Sequence, residues 1–226
     1  MTAYAWPFKA NRFEMRILPN TRVFTGPYTP TTQTLDLLGE RLIVSMDMPP
    51  TNDKIEGGRR EAFFNRLKAS ANTITLGHQA KPLPLGTLRG AQATGWKTSG
   101  GTTSGWTSGG LASGWAGGSP ALASVIAQLA NTGTISCAPG YTLLAGDWIG
   151  FGGQLVQSMA DTVADGTGLM PIEFQPRART SIPAGAAVIW SAPTANFILK
   201  PGTPNVPTSW TPGMIDGATI ELIEVF

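Results

Sequence analysis

One histidine, His78, and one cysteine, Cys137, stand in 226 residues, and they bound the chemistry the chain can do. A Ser-His-Asp or Cys-His nucleophilic device has to be assembled around His78, because each needs an imidazole base. That histidine lies in "TITLGHQAKPLP", between an expected strand and a proline-rich stretch, and the chain contains no Gly-x-Ser-x-Gly elbow. A partly exposed loop or edge histidine is the expectation. A zinc site fares worse, since one His and one Cys do not make the usual nitrogen and sulfur ligand set. No catalytic residue, no metal and no enzymatic activity are expected.

The glycine-rich phrases fail the tests for cofactor binding. In "GFGG", Gly150 to Gly153, the third glycine of a dinucleotide fingerprint would fall at Leu155, and the phrase leads into a β-pattern rather than a helix. No phosphate loop of the G-x-x-x-x-G-K-[ST] type occurs. "DTVADGTG" has Asp161 and Gly166 where positions 1 and 6 of a calcium loop belong, but Val163 and Ile172 occupy positions 3 and 12. A tight turn is expected there instead, with Asp165-Gly166 supplying the positive φ that joins two strands. The acidic residues show no recurring placement that would pair carboxylates for glycosidic work. No cofactor is expected.

The elements around these residues come from composition and periodicity. Apolar residues make up 42% of the chain and charged residues 13%, with 28 Gly and 18 Pro. That is enough to bury a core, too little charge for a typical surface, and too much turn chemistry for a helical protein. The class expected is mainly β, as small barrel or sandwich domains with one or two short α-helices and a Gly/Trp-rich insertion. A net charge of +2 without blocks of one sign gives no field to gather nucleic acid or an anionic membrane, so neither is expected as a partner. One cysteine excludes an intrachain disulfide framework, and no Asn is followed two positions later by Ser or Thr. The charged first residues and the lack of any apolar run near 20 residues predict neither a signal peptide nor an anchor.

Three regions are expected: an N-terminal β-domain with one amphipathic helix over 1–90, an insertion over 91–120 and a C-terminal barrel or sandwich over 121–226. In the first, Phe13, Met15 and Ile17 alternate with Glu14 and Arg16, and Leu42, Val44, Met46 and Met48 alternate before Pro49 and Pro50. The period then changes. Phe63, Phe64 and Leu67 share one helical face, Arg59, Arg60, Arg66 and Lys68 lie on the others, and Gly57 and Gly58 weaken the first turn.

In the third region, Leu122, Val125, Ile126 and Leu129 recur at i, i+3, i+4 and i+7 after Ser119-Pro120, a pattern that predicts a short helix over 121–130. Short strands cut by Gly and Pro follow, in "TISCAPG", "LMPIEFQP", "AAVIWSAP", "NFILKPG" and "ATIELIEVF". In "LLAGDWIGFGGQL" a turn at Ala145-Gly146-Asp147 opens a strand at Trp148, whose glycines admit a close backbone, from the same chain or from another subunit. The final strand is expected to be paired.

Between these regions, "GWKTSGGTTSGWTSGGLASGWAGGSP" places Trp96, Trp106 and Trp115 at spacings of ten and nine in a bed of Gly, Ser and Thr. A buried indole contributes roughly 1.5–3 kcal/mol, against about 1–2 kcal/mol per residue for ordering such a backbone. The loop is marginal alone, so its rings are expected to anchor against the parent domain or an adjacent subunit. A mobile insertion and sugar stacking are the alternatives.

The phrases "WPF", "LPNTRVFTGPYTPTTQTLDLLGERLIVSMDMPP", "EAFFNRLKA", "PLGTLRG", "LLAGDWIGFGGQL" and "EVF" together resemble a family of tailed-bacteriophage virion proteins found among tail-tip genes. The resemblance implies a structural subunit in the virion tail, similar in role to distal tail proteins, whose β-domain forms a ring with copies of itself beside the tail tube, hub and fibres. It carries no active-site motif, and it favours strands over a helix near Val125 and Ile126. Trp96, Trp106, Trp115, Trp148 and Trp210 are the residues expected to make assembly or packing contacts. The proline-rich arms at 82–84 and 201–212 are extended enough to reach a neighbour, and at least one is expected to cross a subunit boundary. A carbohydrate- or receptor-binding module carried on the virion is the alternative function.

Overall fold

Residues 12–18 alternate polar and apolar side chains, and in the computed structural model they form a strand with Phe13, Met15 and Ile17 half-buried and Arg12, Glu14 and Arg16 exposed. The structure describes residues 2–25, 32–68, 70–90, 107–108, 111–112, 120–201, 210–211 and 214–225. Over these the fold is mainly β, with curled sheets that include a half-barrel. No helix among the described residues is long and apolar enough to cross a membrane.

Along the chain come β1 (Ala3–Ala5), β2 (Arg12–Leu18), β3 (Thr21–Thr25), β4 (Thr32–Asp36) and β5 (Arg41–Met48), then α1 (Lys54–Leu67) and β6 (Thr73–Gly77). The helix begins where Asp53 accepts the Ile55 N–H at 2.8 Å and ends on Lys68 in the left-handed region. Phe63, Phe64 and Leu67 are buried, as their spacing predicts. Arg60 is a correction: expected on an outer face, it is 2% exposed. Its guanidinium donates to the Pro49 carbonyl and to Glu56 Oε1, each at 2.6 Å, which offsets the cost of burying the charge. Trp6, Phe8, Phe63 and Phe64 meet edge to face at centroid separations of 5.4–6.3 Å.

Next along the chain are β7 (Thr107–Ser108), β8 (Leu111–Ala112), β9 (Ala121–Leu122), β10 (Thr132–Ser136), β11 (Thr142–Leu143), β12 (Trp148–Phe151), β13 (Gln154–Ser158), β14 (Thr162–Val163) and β15 (Leu169–Gln175). Five of them form a sheet in the order β12-β13-β15-β10-β9. Along β15, Met170, Ile172 and Phe174 are buried while Leu169, Pro171 and Glu173 are exposed, and Phe174 meets Phe151 edge to face at 5.1 Å. Residues 186–189 bond to both edges of this sheet: Leu122 N–H donates to Ala186, Val188 N–H to Pro120, and Gly150 and Ile189 exchange two bonds of 2.7 Å. The close backbone that Gly150 admits therefore comes from its own chain. The helix expected over 121–130 is absent. Strand β9 and a bridge between Ile126 and Ile182 take its place, because partners some sixty residues later supply the hydrogen bonds a helix would have made locally. "AAVIWSAP", expected as a strand, makes only the isolated bridges at Ala187 and Ile189.

After this come β16 (Thr194–Leu199), β17 (Trp210–Thr211), β18 (Met214–Ile215) and β19 (Ala218–Glu224). Of these, β17 and β18 pair with each other, while β16 and β19 rejoin the first elements in a six-stranded sheet, β1-β6-β16-β19-β5-β2, antiparallel except for the β1–β6 pair. Two compact units result, Met1–Ala80 with Thr194–Phe226, and Lys81–Pro193. This division differs from the expected order of regions, because 194–226 leaves the expected C-terminal domain. The reason is in the sheet: β19 lies between β16 and β5, so the first unit's core needs Ile220 and Leu222, both fully buried.

Candidate functional site

The residues with chemical potential are held in structural roles. His78 is half-buried in the first unit, its ring edge to face with Phe13 at 5.1 Å. Cys137 packs against the core of the second unit, and burial pushes its thiol above the ordinary range. Among the described residues, no group of three or more His, Cys, Asp or Glu is placed to hold a metal ion. Asp165 closes its own turn, its Oδ1 accepting from Thr167 N–H, Thr167 Oγ1 and Leu169 N–H at 2.7–2.9 Å. The Thr167 hydroxyl, and after it the Leu169 amide, hold its carboxyl below the usual range. The positive φ in this turn belongs to Gly168, at +82°, and not to Gly166. At Gly168 a Cβ would also run into the Cys137 carbonyl.

Sequence reasoning missed the part Asp147 plays. Its carboxylate is 1% exposed and accepts from the backbone N–H groups of Leu85, Gly86 and Leu144 at 2.7, 3.2 and 2.9 Å. It thereby fixes the proline-rich arm within the second unit, where the Pro82 carbonyl also accepts from Ala192 N–H and Thr87 bonds to Thr142. That arm is an intrachain connection. Residues 202–209 and 212 of the other arm lie outside the described residues.

Trp96, Trp106 and Trp115 lie outside the described residues. Trp148 is buried on β12 within its own unit, and Trp210 sits on β17 opposite Ile215 of β18.

What the structure places at the surface is a hairpin. Among the described residues, strands β3 and β4 pair only with each other, from Thr21↔Asp36 to Thr25↔Thr32. The register puts Phe24 and Leu35 diagonally on one face and Val23 on the other. These residues are 51%, 50% and 62% exposed, and Leu18 and Leu37 at the base are 43% and 42% exposed. Among the described residues, neither face is covered. Pro19 ends β2, Asn20 bonds to Leu37 and Leu38, and Leu38 and Gly39 turn the chain into β5 with φ of 56° and 83°. A left-handed leucine costs on the order of 1–2 kcal/mol.

No protein-family model matches this sequence, and no curated protein matches it.

Proposed function

We propose that this chain is a structural subunit of a tailed-bacteriophage virion, one that assembles with copies of itself into a ring at the tail tip, beside other tail proteins. The observation that carries the reading is the β3–β4 hairpin with Val23, Phe24 and Leu35 half or more exposed on its two faces. A lone two-stranded hairpin is marginal in water, and apolar residues on both of its faces need a cover that the described residues do not give them. A neighbouring copy in a ring supplies that cover at every position, because each subunit offers its hairpin in the same direction around a closed cycle. The outer edges of both hairpin strands, which pair with no other described residue, offer a second route to the same end, by pairing with a neighbour's edge.

The test is the mass of the purified chain by light scattering at micromolar to tens of micromolar concentration, together with its detection in intact particles. A closed oligomer that falls to monomer in Phe24→Ser/Leu35→Ser, and a chain present in the virion, support the reading. A monomer absent from the particle overturns it. A Trp106→Ala chain that gives normal particles with poor adsorption points instead to a receptor-binding module.

A further inference from the structure

The first unit carries a cleft of about 550 Å³ between α1 and the segment around Phe8. One wall is a single stripe of the helix, Arg59, Ala62, Phe63 and Arg66, at i, i+3, i+4 and i+7. Phe8 and Phe63, edge to face at 5.4 Å, give an aromatic floor, and Lys9 stands on the opposite side. The charge is one-sided. Lys9, Arg59 and Arg66 are exposed and form no ion pair among the described residues. The one carboxylate in the lining, Glu56, is already engaged by Arg60 at 2.6 Å and by Thr51 at 3.3 Å. Three cations therefore face a groove with an apolar bottom, although the whole chain carries a net charge of only +2.

We infer that this cleft docks an extended acidic segment of a protein partner, with an apolar residue between its carboxylates. Seven helical residues put Arg59 and Arg66 about 10 Å apart along the axis. In a polyproline-type extended chain, residues three apart project from the same side at about 9 Å. Carboxylates at i and i+3 therefore meet both guanidiniums, while a side chain between them reaches the Phe8 and Phe63 rings. Planar guanidinium forks suit carboxylates, and aromatic floors suit extended proline-containing segments. This inference is independent of the ring proposed above, since it uses neither the hairpin nor a second copy of the chain.

The test uses the full chain and the peptide fluorescein-Gly-Gly-Glu-Pro-Leu-Glu-Pro-amide, labelled at its N-terminus, at low salt. Saturable binding that shifts the amide resonances of Ala62 and Phe63 is expected. Weakening by roughly tenfold or more is expected in Arg59→Glu/Arg66→Glu, with no change in Arg22→Glu on the hairpin. Should the double variant not fold, Lys9→Glu replaces it and is expected to weaken binding from the opposite wall. The peptide with Gln at both Glu positions is expected not to bind. Absence of saturable binding, binding indifferent to charge reversal, or equal competition by inorganic phosphate or an oligothymidylate would each overturn the inference.

Discussion

The backbone N–H of Leu85 donates to Oδ1 of Asp147 across 2.7 Å, joining two points 62 residues apart in the chain. The same carboxylate takes the N–H groups of Gly86 and Leu144, so one buried anion holds a proline-rich arm and a tight turn in register. Asp147→Ala leaves three backbone donors without their acceptor and is expected to cost about 3–5 kcal/mol. Thermal melting is expected to fall by roughly 10 °C. Asp147→Asn keeps one acceptor but turns an amide donor toward N–H groups, so its melting point is expected to fall by more than half as much. A melting point within a degree or two of wild type for both variants would remove Asp147 from this role.

Arg60 holds the chain after β5 against α1. Its two terminal nitrogens bond to the Pro49 carbonyl and to Glu56, and Arg60→Met preserves the stem while losing both bonds. A loss of about 2–3 kcal/mol is expected in denaturant unfolding. Glu56→Gln keeps an acceptor for the guanidinium and is expected to cost under about 1 kcal/mol. Equal losses in the two variants would show that the charge, and not the bond to Pro49, is what matters.

The Asp165 carboxyl is lowered in the folded protein by the Thr167 hydroxyl and then by the Leu169 amide. A depressed folded value means that the stabilisation is present above the unfolded carboxylate range, near pH 4, and is lost as the pH falls through the folded value. The stability advantage of wild type over Asp165→Asn is therefore expected to hold at pH 7 and to shrink as the pH drops below about 4. Melting curves at pH 7, 4 and 2.5 check this. An advantage that grows toward acid would contradict it.

Burial raises the Cys137 thiol, so little thiolate is present at neutral pH. Alkylation of the native chain by iodoacetamide at pH 7.5 is expected to be at least about tenfold slower than in the denatured chain. Equal rates would place the sulfur in contact with water.

Strands that bury one face were open to reading from the sequence. In β2 and β15 the two-residue period names the inward residues directly, and in α1 the pair Phe63-Phe64 with Leu67 does the same. Periodicity misled where hydrogen-bond partners are distant. Leu122 and Ile126 reach the half-barrel core from an extended chain, whereas Val125 and Leu129 of the same supposed helical stripe are 61% and 43% exposed. Pattern alone does not foretell that Ala186 and Ile182 will bond to that segment. Asp147 sits in a readable turn, but its load comes from residues 85–86, which local sequence does not disclose. Arg60 looked like one more solvated arginine, because the carbonyl that receives it belongs to Pro49, outside the helix. The exposure of Val23, Phe24 and Leu35 on the two faces of the hairpin was not legible.

The placement of β19 between β16 and β5 bears on how the molecule is made. While the ribosome is still working, the β1–β6 and β2–β5 pairs have nothing to bridge them, and β6 waits with an open side for residues 194–199 and β5 for residues 218–224. The 81–193 unit has all its own strands by then and is free to fold first. Because Gly77 of β6 sits opposite Thr194 of β16, the chain departs from the six-stranded sheet and comes back to it through adjacent strands. That arrangement lets nature, or an engineer, exchange everything between those two points for a short linker while the sheet keeps its order.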